Sequence, residues 1–149
     1  MTTILWDGKQ LVSDSQVSEE GVSAIDPTPK IFRKKHVYYA AAGDLTESMA
    51  VVRWHVRGAK PKDFPDDLSG EYHVLVVKNG KAIEYAGSRH TCPVKPPVAM
   101  GSGRELALGA LLAGASAKRA VAIACRLDNQ SSPPLRVYNT CQSKRSKAH

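Results

Sequence analysis

The apolar positions near the start of the chain follow strand spacing. Thr3, Ile4, Leu5 and Trp6 are strand formers, and Leu11 and Val12 resume the strand after a break. The break holds Asp7-Gly8, a dipeptide that supplies the positive φ angles of a tight turn, so the chain opens into a β-hairpin. Ser13-Asp14-Ser15-Gln16 ends this hairpin with a carboxylate at the strand tip. Residues 17–28 are polar and run into Asp26-Pro27-Thr28-Pro29, the pattern of a loop. A short strand is expected at 30–33, starting cleanly after Pro29. Another is expected at 36–42, where small residues gather toward the end.

Gly43 breaks the strand period and helical spacing takes over. Over 45–57, Leu45, Met49, Val52 and Val56 recur on one face. Asp44 or Thr46 is placed to cap this helix, Glu47 suits the positive end of its dipole, and Gly58 stops it. Trp54 and His55 read as packing and surface residues. Residues 60–67 read as a loop. Strands at 72–77 and 82–85 flank Asn79-Gly80, a second hairpin signal. Residues 89–97 hold three prolines and read as irregular. Val98-Ala99-Met100 leads into Gly101-Ser102-Gly103. Helices follow at 104–113, stopped by Gly114, and at 117–127, with Ser116 as N-cap. A polar turn over 128–134 precedes a last strand at 135–138. This order, with hairpin turns too short for parallel crossovers, predicts an α+β fold with helices outside packed antiparallel sheets.

Length and composition change this picture little. At 149 residues the chain is one domain with room for a real core, and its 42% hydrophobic content is that of a soluble protein. No run is long enough to span a membrane, and no signal peptide pattern opens the chain. Cys92, Cys125 and Cys141 are an odd number without CxxC spacing, which argues against a disulfide framework or zinc site and for a reducing cytoplasm. His90 and Cys92, two apart, are too few ligands for a metal. The net charge of +7 is concentrated at 30–35 and in the tail around Lys144-Arg145-Ser146-Lys147. No stacking aromatics interleave that tail, so nucleic acid is not the expected partner. Residues 1–140 are read as the domain and 141–149 as a basic tail.

The candidate chemistry begins at Thr2. If Met1 is removed, Thr2 carries a hydroxyl and a free α-amine side by side. An α-amine titrates at about pKa 7.7–8.0, so it can serve as the base for that hydroxyl. Read alone, the simpler account is preferred: Thr2 as a small residue that permits Met1 removal, Asp14 as a turn residue, and Lys30 with Asp14 as a surface ion pair.

A resemblance to a known family rests on the order of several short stretches. These are Thr2-Thr3-Ile4, Ser13-Asp14-Ser15, Pro29-Lys30-Ile31, Ala41-Ala42-Gly43-Asp44 and Met100-Gly101-Ser102-Gly103, then the stretch from Gly109 to Ala117, and Asp128 with Ser131. In that order they resemble proteasome β-type subunits, and the chain looks like a short bacterial or phage-encoded relative of the HslV-type threonine peptidases. That group belongs to the N-terminal nucleophile hydrolases, whose fold is a four-layer αββα sandwich. The resemblance implies Thr2 as nucleophile, Lys30 as the lysine beside its hydroxyl and Asp14 as the carboxylate that orients Lys30. It implies Gly43 as the oxyanion-hole N–H, and Ser102, Asp128 and Ser131 as the polar set around the terminal amine. It also implies peptide or unfolded-protein substrates, a homo-oligomeric ring and, by analogy alone, a ring ATPase unfoldase of the AAA+ type as partner. No cofactor or metal is expected. The alternative is a catalytically silent member of the same fold, serving as a structural or interaction protein.

Two departures stand out. Only 60–69 lies where the family places a second long helix, so one helical layer is expected to be shortened. Ser132 and Pro133 stand where the family carries glycines after the Ser131 position.

Overall fold

The computed structural model describes residues 2–15, 18–19, 22–23, 30–87, 90–128, 131 and 133–141. The opening hairpin forms as expected. Strands β1 (Thr3–Trp6) and β2 (Gln10–Ser13) turn at Asp7-Gly8, where Gly8 has φ +97° and the Asp7 carboxylate accepts from the N–H groups of Lys9 and Gln10. In the stretch read as loop, Ser18–Glu19 (β3) and Val22–Ser23 (β4) make a two-residue ladder. Residues 24–29 lie outside the described ones.

Next come β5 (Ile31–Lys34), β6 (Val37–Gly43) and helix α1 (Leu45–Val56), with Asp44 as its cap. The buried face of α1 differs from the expected one. Ser48, Val51, Val52 and Trp54 are buried, whereas Leu45 is exposed and Met49 is half-buried. The reason is tertiary: the indole of Trp54 folds against Phe64 and Tyr85, with ring centroids 4.8 and 5.7 Å away, and donates to the Lys60 carbonyl. Only a single 3-10 turn, Pro61–Asp63, occupies the segment where a second long helix has no room. Phe64 and its aromatic neighbours cover the sheet there instead.

The second hairpin, β7 (Tyr72–Lys78) and β8 (Lys81–Ala86), turns at Asn79-Gly80, both with positive φ. The proline-rich stretch read as irregular contains a strand, β9 (His90–Val94), paired to β8 with Pro93 opposite Ile83. Proline is tolerated because β9 is a sheet edge and needs no donor on its outer side. Val98–Gly101 is also a strand, β10, and it runs antiparallel to β1. Helices α2 (Arg104–Leu112) and α3 (Ala117–Leu127) and strand β11 (Arg136–Asn139) complete the chain much as expected, with Ser116 capping α3.

The strands form a four-stranded sheet, β10-β1-β2-β11, and a five-stranded sheet, β5-β6-β7-β8-β9. Side-chain alternation assigns the layers. Ile4, Trp6 and Leu11 of the first sheet meet Tyr38, Ala40, Ala42, Leu75 and Val77 of the second in one core. Leu5 and Val12 face the other way, onto Ala117, Ala120, Val121 and Ala124 of α3. Tyr39, Val74 and Val76 face Val51 and Val52 of α1. The result is helix, sheet, sheet, helices: an α+β sandwich of four layers in which the central strands of both sheets are buried on both faces. β7 accordingly reads as a continuous apolar run.

Trp6 lies at the centre of the intersheet core, fully buried, with its indole N–H donating to Thr140 Oγ1 at 3.1 Å. Trp6→Ala should lower stability by about 3–5 kcal/mol, because the cavity left between two sheets collapses only partly. Urea denaturation followed by circular dichroism measures the loss.

Candidate active site

The two ends of the sandwich differ. At one of them the start of β1, the end of β2, the end of β10, the residue before β5 and the end of α3 come together. Alternation continues past the strand, so Thr2 falls on the Ile4 side, toward the second sheet, and Thr3 on the Leu5 side, toward the helices. The Thr2 hydroxyl then meets the Asp14 carboxylate, and the Thr3 hydroxyl meets Ser131, which is itself bonded to Asp128.

Asp14 serves Thr2. Its Oδ1 accepts from Thr2 Oγ1 at 2.7 Å, from the Thr3 backbone N–H at 2.9 Å and from Lys30 Nζ at 2.9 Å. The Asp14 N–H donates in turn to the Thr3 carbonyl, which fixes the carboxylate against the start of β1. All three side chains are buried: Thr2 is 3% exposed, Asp14 0% and Lys30 4%. Sequence alone left Lys30 and Asp14 readable as a surface pair; the fold encloses them.

Asp128 serves the other side. Its Oδ2 accepts from Ser102 Oγ and from Ser131 Oγ, both at 2.6 Å. Ser131 Oγ also meets Thr3 Oγ1 at 2.6 Å, and Ser102 Oγ reaches toward the Thr2 carbonyl at 3.5 Å. So Ser102, Asp128 and Ser131 form one network against the backbone of Thr2 and the side chain of Thr3. The role of Thr3 was not singled out from the sequence. Its signal is the strand period, which turns it away from Thr2 and onto the helix side.

The Gly101-Ser102-Gly103 stretch is explained by close approach. Gly101 pairs with Thr3 at φ +90°, and a Cβ on it would lie 1.8 Å from the Thr2 carbonyl oxygen. A Cβ on Gly103 would lie 2.0 Å from Thr3 Oγ1. Only glycine lets β10 and the start of α2 lie this near the N-terminal threonines.

Gly43 lies on β6, the strand that pairs with β5 just after Lys30. It is the last residue of β6, at φ +72°. Asp44 N–H donates to Glu71 O toward β7, while Ala41 N–H donates to Lys30 O toward β5. Donor direction alternates along an antiparallel strand. The Gly43 N–H therefore points to the same side as that of Ala41, the side on which Lys30 stands.

The electrostatics follow from burial. Desolvation holds the Lys30 ammonium below its ordinary 10.5, opposed mainly by the charge of Asp14 and their hydrogen bond. Cys125, on α3, lies within electrostatic reach of Asp14, Lys30 and Asp128, and burial pushes its thiol up to about 11. That thiol stays protonated at neutral pH and is a poor nucleophile. Among the described residues no group of three or more His, Cys, Asp or Glu is placed to hold a metal.

Comparison with known structures places this architecture. HslV from Trypanosoma brucei superposes with a TM-score of 0.71 at 23% identity, covering 92% of this chain and 98% of that one. The protein BPH of Thiobacillus denitrificans matches with a TM-score of 0.64 at 21% identity, and its complex with epoxomicin with 0.64 at 19%. Each of these covers 95% of this chain and 99% of the other. No protein-family model and no curated protein sequence matches the chain. The fold is that of the HslV- and proteasome-type N-terminal nucleophile hydrolases.

The pH dependence of stability tests the buried pair. Between the lowered Lys30 value and 10.5 the unfolded chain binds more protons than the native one. Stability should therefore climb with pH across that window. Lys30→Met should abolish the climb. Urea titrations of both proteins from neutral to alkaline pH check this.

Proposed function

We propose that this chain is a threonine-type peptidase that acts through Thr2 once Met1 has been removed. The observation that carries the reading is the convergence of the Thr2 hydroxyl and the Lys30 ammonium on one buried oxygen of Asp14, at 2.7 and 2.9 Å. A structural ion pair needs no hydroxyl at that point, and a hydroxyl at the second residue of the chain acquires a neighbouring base when the preceding residue is cleaved.

In this reading the freed α-amine of Thr2 accepts the hydroxyl proton. Thr2 Oγ1 attacks a peptide carbonyl, giving a tetrahedral intermediate whose oxyanion is met by the Gly43 N–H. One such donor is typically worth about 2.7–4 kcal/mol. The intermediate collapses with proton transfer to the leaving amine, leaving an acyl ester on Thr2, and water then hydrolyses that ester to restore the hydroxyl. Lys30 supplies a fixed positive charge beside the hydroxyl, and its lowered proton affinity suits it to pass a proton on. Asp14 orients Lys30. Ser102, Asp128 and Ser131 hold the Thr2 backbone, and with it the amine. While Met1 remains, the nitrogen of Thr2 is an amide and cannot act as the base.

The substrates on this reading are peptides or unfolded protein segments, in the cytoplasm. The working form is a homo-oligomeric ring with inward-facing sites, served by an ATP-driven unfoldase. The likeness in fold to HslV supports these points by analogy only.

Processing and chemistry are tested together. Intact mass should show loss of Met1. A peptide epoxyketone should then add to Thr2, since it needs a hydroxyl and an amine on one residue. Thr2→Ala and Lys30→Ala should each abolish peptide hydrolysis with the fold intact, Asp14→Asn should be severely impaired, and Thr2→Ser should keep measurable activity. A Thr2→Ala protein as active as the processed wild type would remove Thr2 from the mechanism. A processed wild type inert across a broad peptide library would favour a catalytically silent protein of this fold.

Light scattering tests assembly. A homo-oligomer is expected at micromolar concentration, and a strict monomer would overturn the ring.

A further inference from the structure

The residues around Gly43 carry a second layer of organisation. In the common N-terminal helix box, the cap residue bonds the N–H three positions on, and the acidic residue there reaches back to the cap N–H. Only half of this is present at α1. Asp44 Oδ1 accepts from Glu47 N–H at 2.9 Å. The Asp44 N–H is taken by the Glu71 carbonyl instead, also at 2.9 Å. Glu47 is thereby released from the box and bonds across to the neighbouring chain segment. Its two carboxylate oxygens accept from the N–H groups of Ser69 at 2.6 Å and Glu71 at 3.0 Å.

These contacts close a ring around one glycine. Glu71 is held at its N–H by Glu47 and at its carbonyl by Asp44. That carbonyl lies directly against Gly43, where a Cβ would come within 2.1 Å of it. On the other flank, Ser48 Oγ donates to the Ala42 carbonyl at 2.7 Å and accepts from the His73 N–H at 3.3 Å. The peptide before Gly43 is therefore pinned directly by the Ser48 side chain, and the peptide after it by the Glu71 carbonyl, whose own residue Glu47 holds. Cross-strand register places Tyr72 opposite Gly43, between these two braces.

We infer that Glu47 is a positioning residue: by anchoring 69–71 it sets the Glu71 carbonyl against the Asp44 N–H, fixes the peptide that follows Gly43, and with the Ser48 brace on the peptide before it aims the Gly43 N–H. The catalytic part of this inference rests on the peptidase reading above; the backbone part does not. An anchoring carboxylate suits the task because two backbone donors converge on it from one short segment, and an exposed neutral side chain would compete poorly with water for both. The same donors, the Ser69 N–H foremost, hold the Glu47 carboxyl below the usual carboxylate range.

The experiment uses the full-length, Met1-processed protein with Glu47→Ala and Glu47→Gln variants. Two reactions separate oxyanion stabilisation from nucleophile integrity. Hydrolysis of a peptide amide needs an aligned oxyanion donor, whereas addition of Thr2 Oγ1 to a peptide vinyl sulfone forms no tetrahedral carbonyl adduct. Glu47→Ala should lower kcat for the amide by about tenfold or more, a fraction of the 10²–10³ loss seen when an oxyanion donor is removed. KM and the vinyl sulfone rate should stay within about threefold. Glu47→Gln keeps one acceptor oxygen and should fall between. An unchanged kcat, or a vinyl sulfone rate that falls in parallel, would overturn the positioning role.

Hydrogen exchange supplies the arm that needs no activity. In Glu47→Ala the amides over 43–47 and 69–71 should exchange about tenfold faster, with those of 74–77 unchanged. Unaltered exchange at Asp44 and Glu71 would overturn the brace whatever the kinetics. A wild type inert to both reagents, with exchange that responds to Glu47→Ala, would retire the peptidase reading and leave the brace standing.

Discussion

A buried carboxylate holds the decisive end of this molecule together. Asp14 is fully enclosed, and an enclosed charge is tolerated only when hydrogen-bonded and matched. Its Oδ1 draws donors from the backbone of Thr3, the hydroxyl of Thr2 and the ammonium of Lys30. These groups belong to different sheets: the threonines open the four-stranded sheet, and Lys30 precedes the first strand of the five-stranded one. One atom therefore both joins the layers and gathers Thr2, Thr3 and Lys30 at one point. Removing any donor would leave the interior with an underserved charge, so the demands of folding and those of the proposed chemistry select the same residues.

The rest of the site is built by how closely backbones approach. Strand β10 can lie beside Thr2 and Thr3 only because Gly101 and Gly103 carry no Cβ. That approach brings Ser102 to Asp128, and the end of α3 to Thr3. The period of β1 then divides the work: the Thr2 side faces Asp14 and Lys30, and the Thr3 side faces Ser131 and Asp128. On the far side of the second sheet the shortened helical layer is made good by aromatic packing. Trp54, Phe64, Tyr72 and Tyr85 fill the space there without a second helix.

Much of this was legible along the chain. Both hairpins followed from Asp-Gly and Asn-Gly, whose positive φ angles leave few other structures open. The first helix was visible from its period and the other two from the Gly114 stop and the Ser116 cap; of the two candidate caps for the first, Asp44 and Thr46, the structure uses Asp44. These are local effects, set by a residue and its near neighbours. The stretch around Pro93 misled because proline opposes a strand in general and is accepted at a sheet edge, and edge position is a property of the whole sheet. The face of α1 was misjudged because Trp54 turns toward Phe64, ten positions on in the chain. Without the resemblance to a known family, Lys30 with Asp14 read as a surface ion pair, because no local pattern marks a lysine as buried.

The sequence by itself determined the two hairpins, the three helices, their order and the α+β class, because turn dihedrals, caps and hydrophobic periods act over a few residues. It also placed a threonine at position 2 and the acidic and basic residues that meet there. Only the tertiary structure decided that Thr2, Asp14 and Lys30 share one oxygen, that Thr3 belongs to a separate Asp128 network, and that Glu47 reaches across to 69–71. Those outcomes depend on which strand ends lie side by side when two sheets stack. Stacking is set by the summed burial of many side chains far apart in the chain, and no local pattern encodes it.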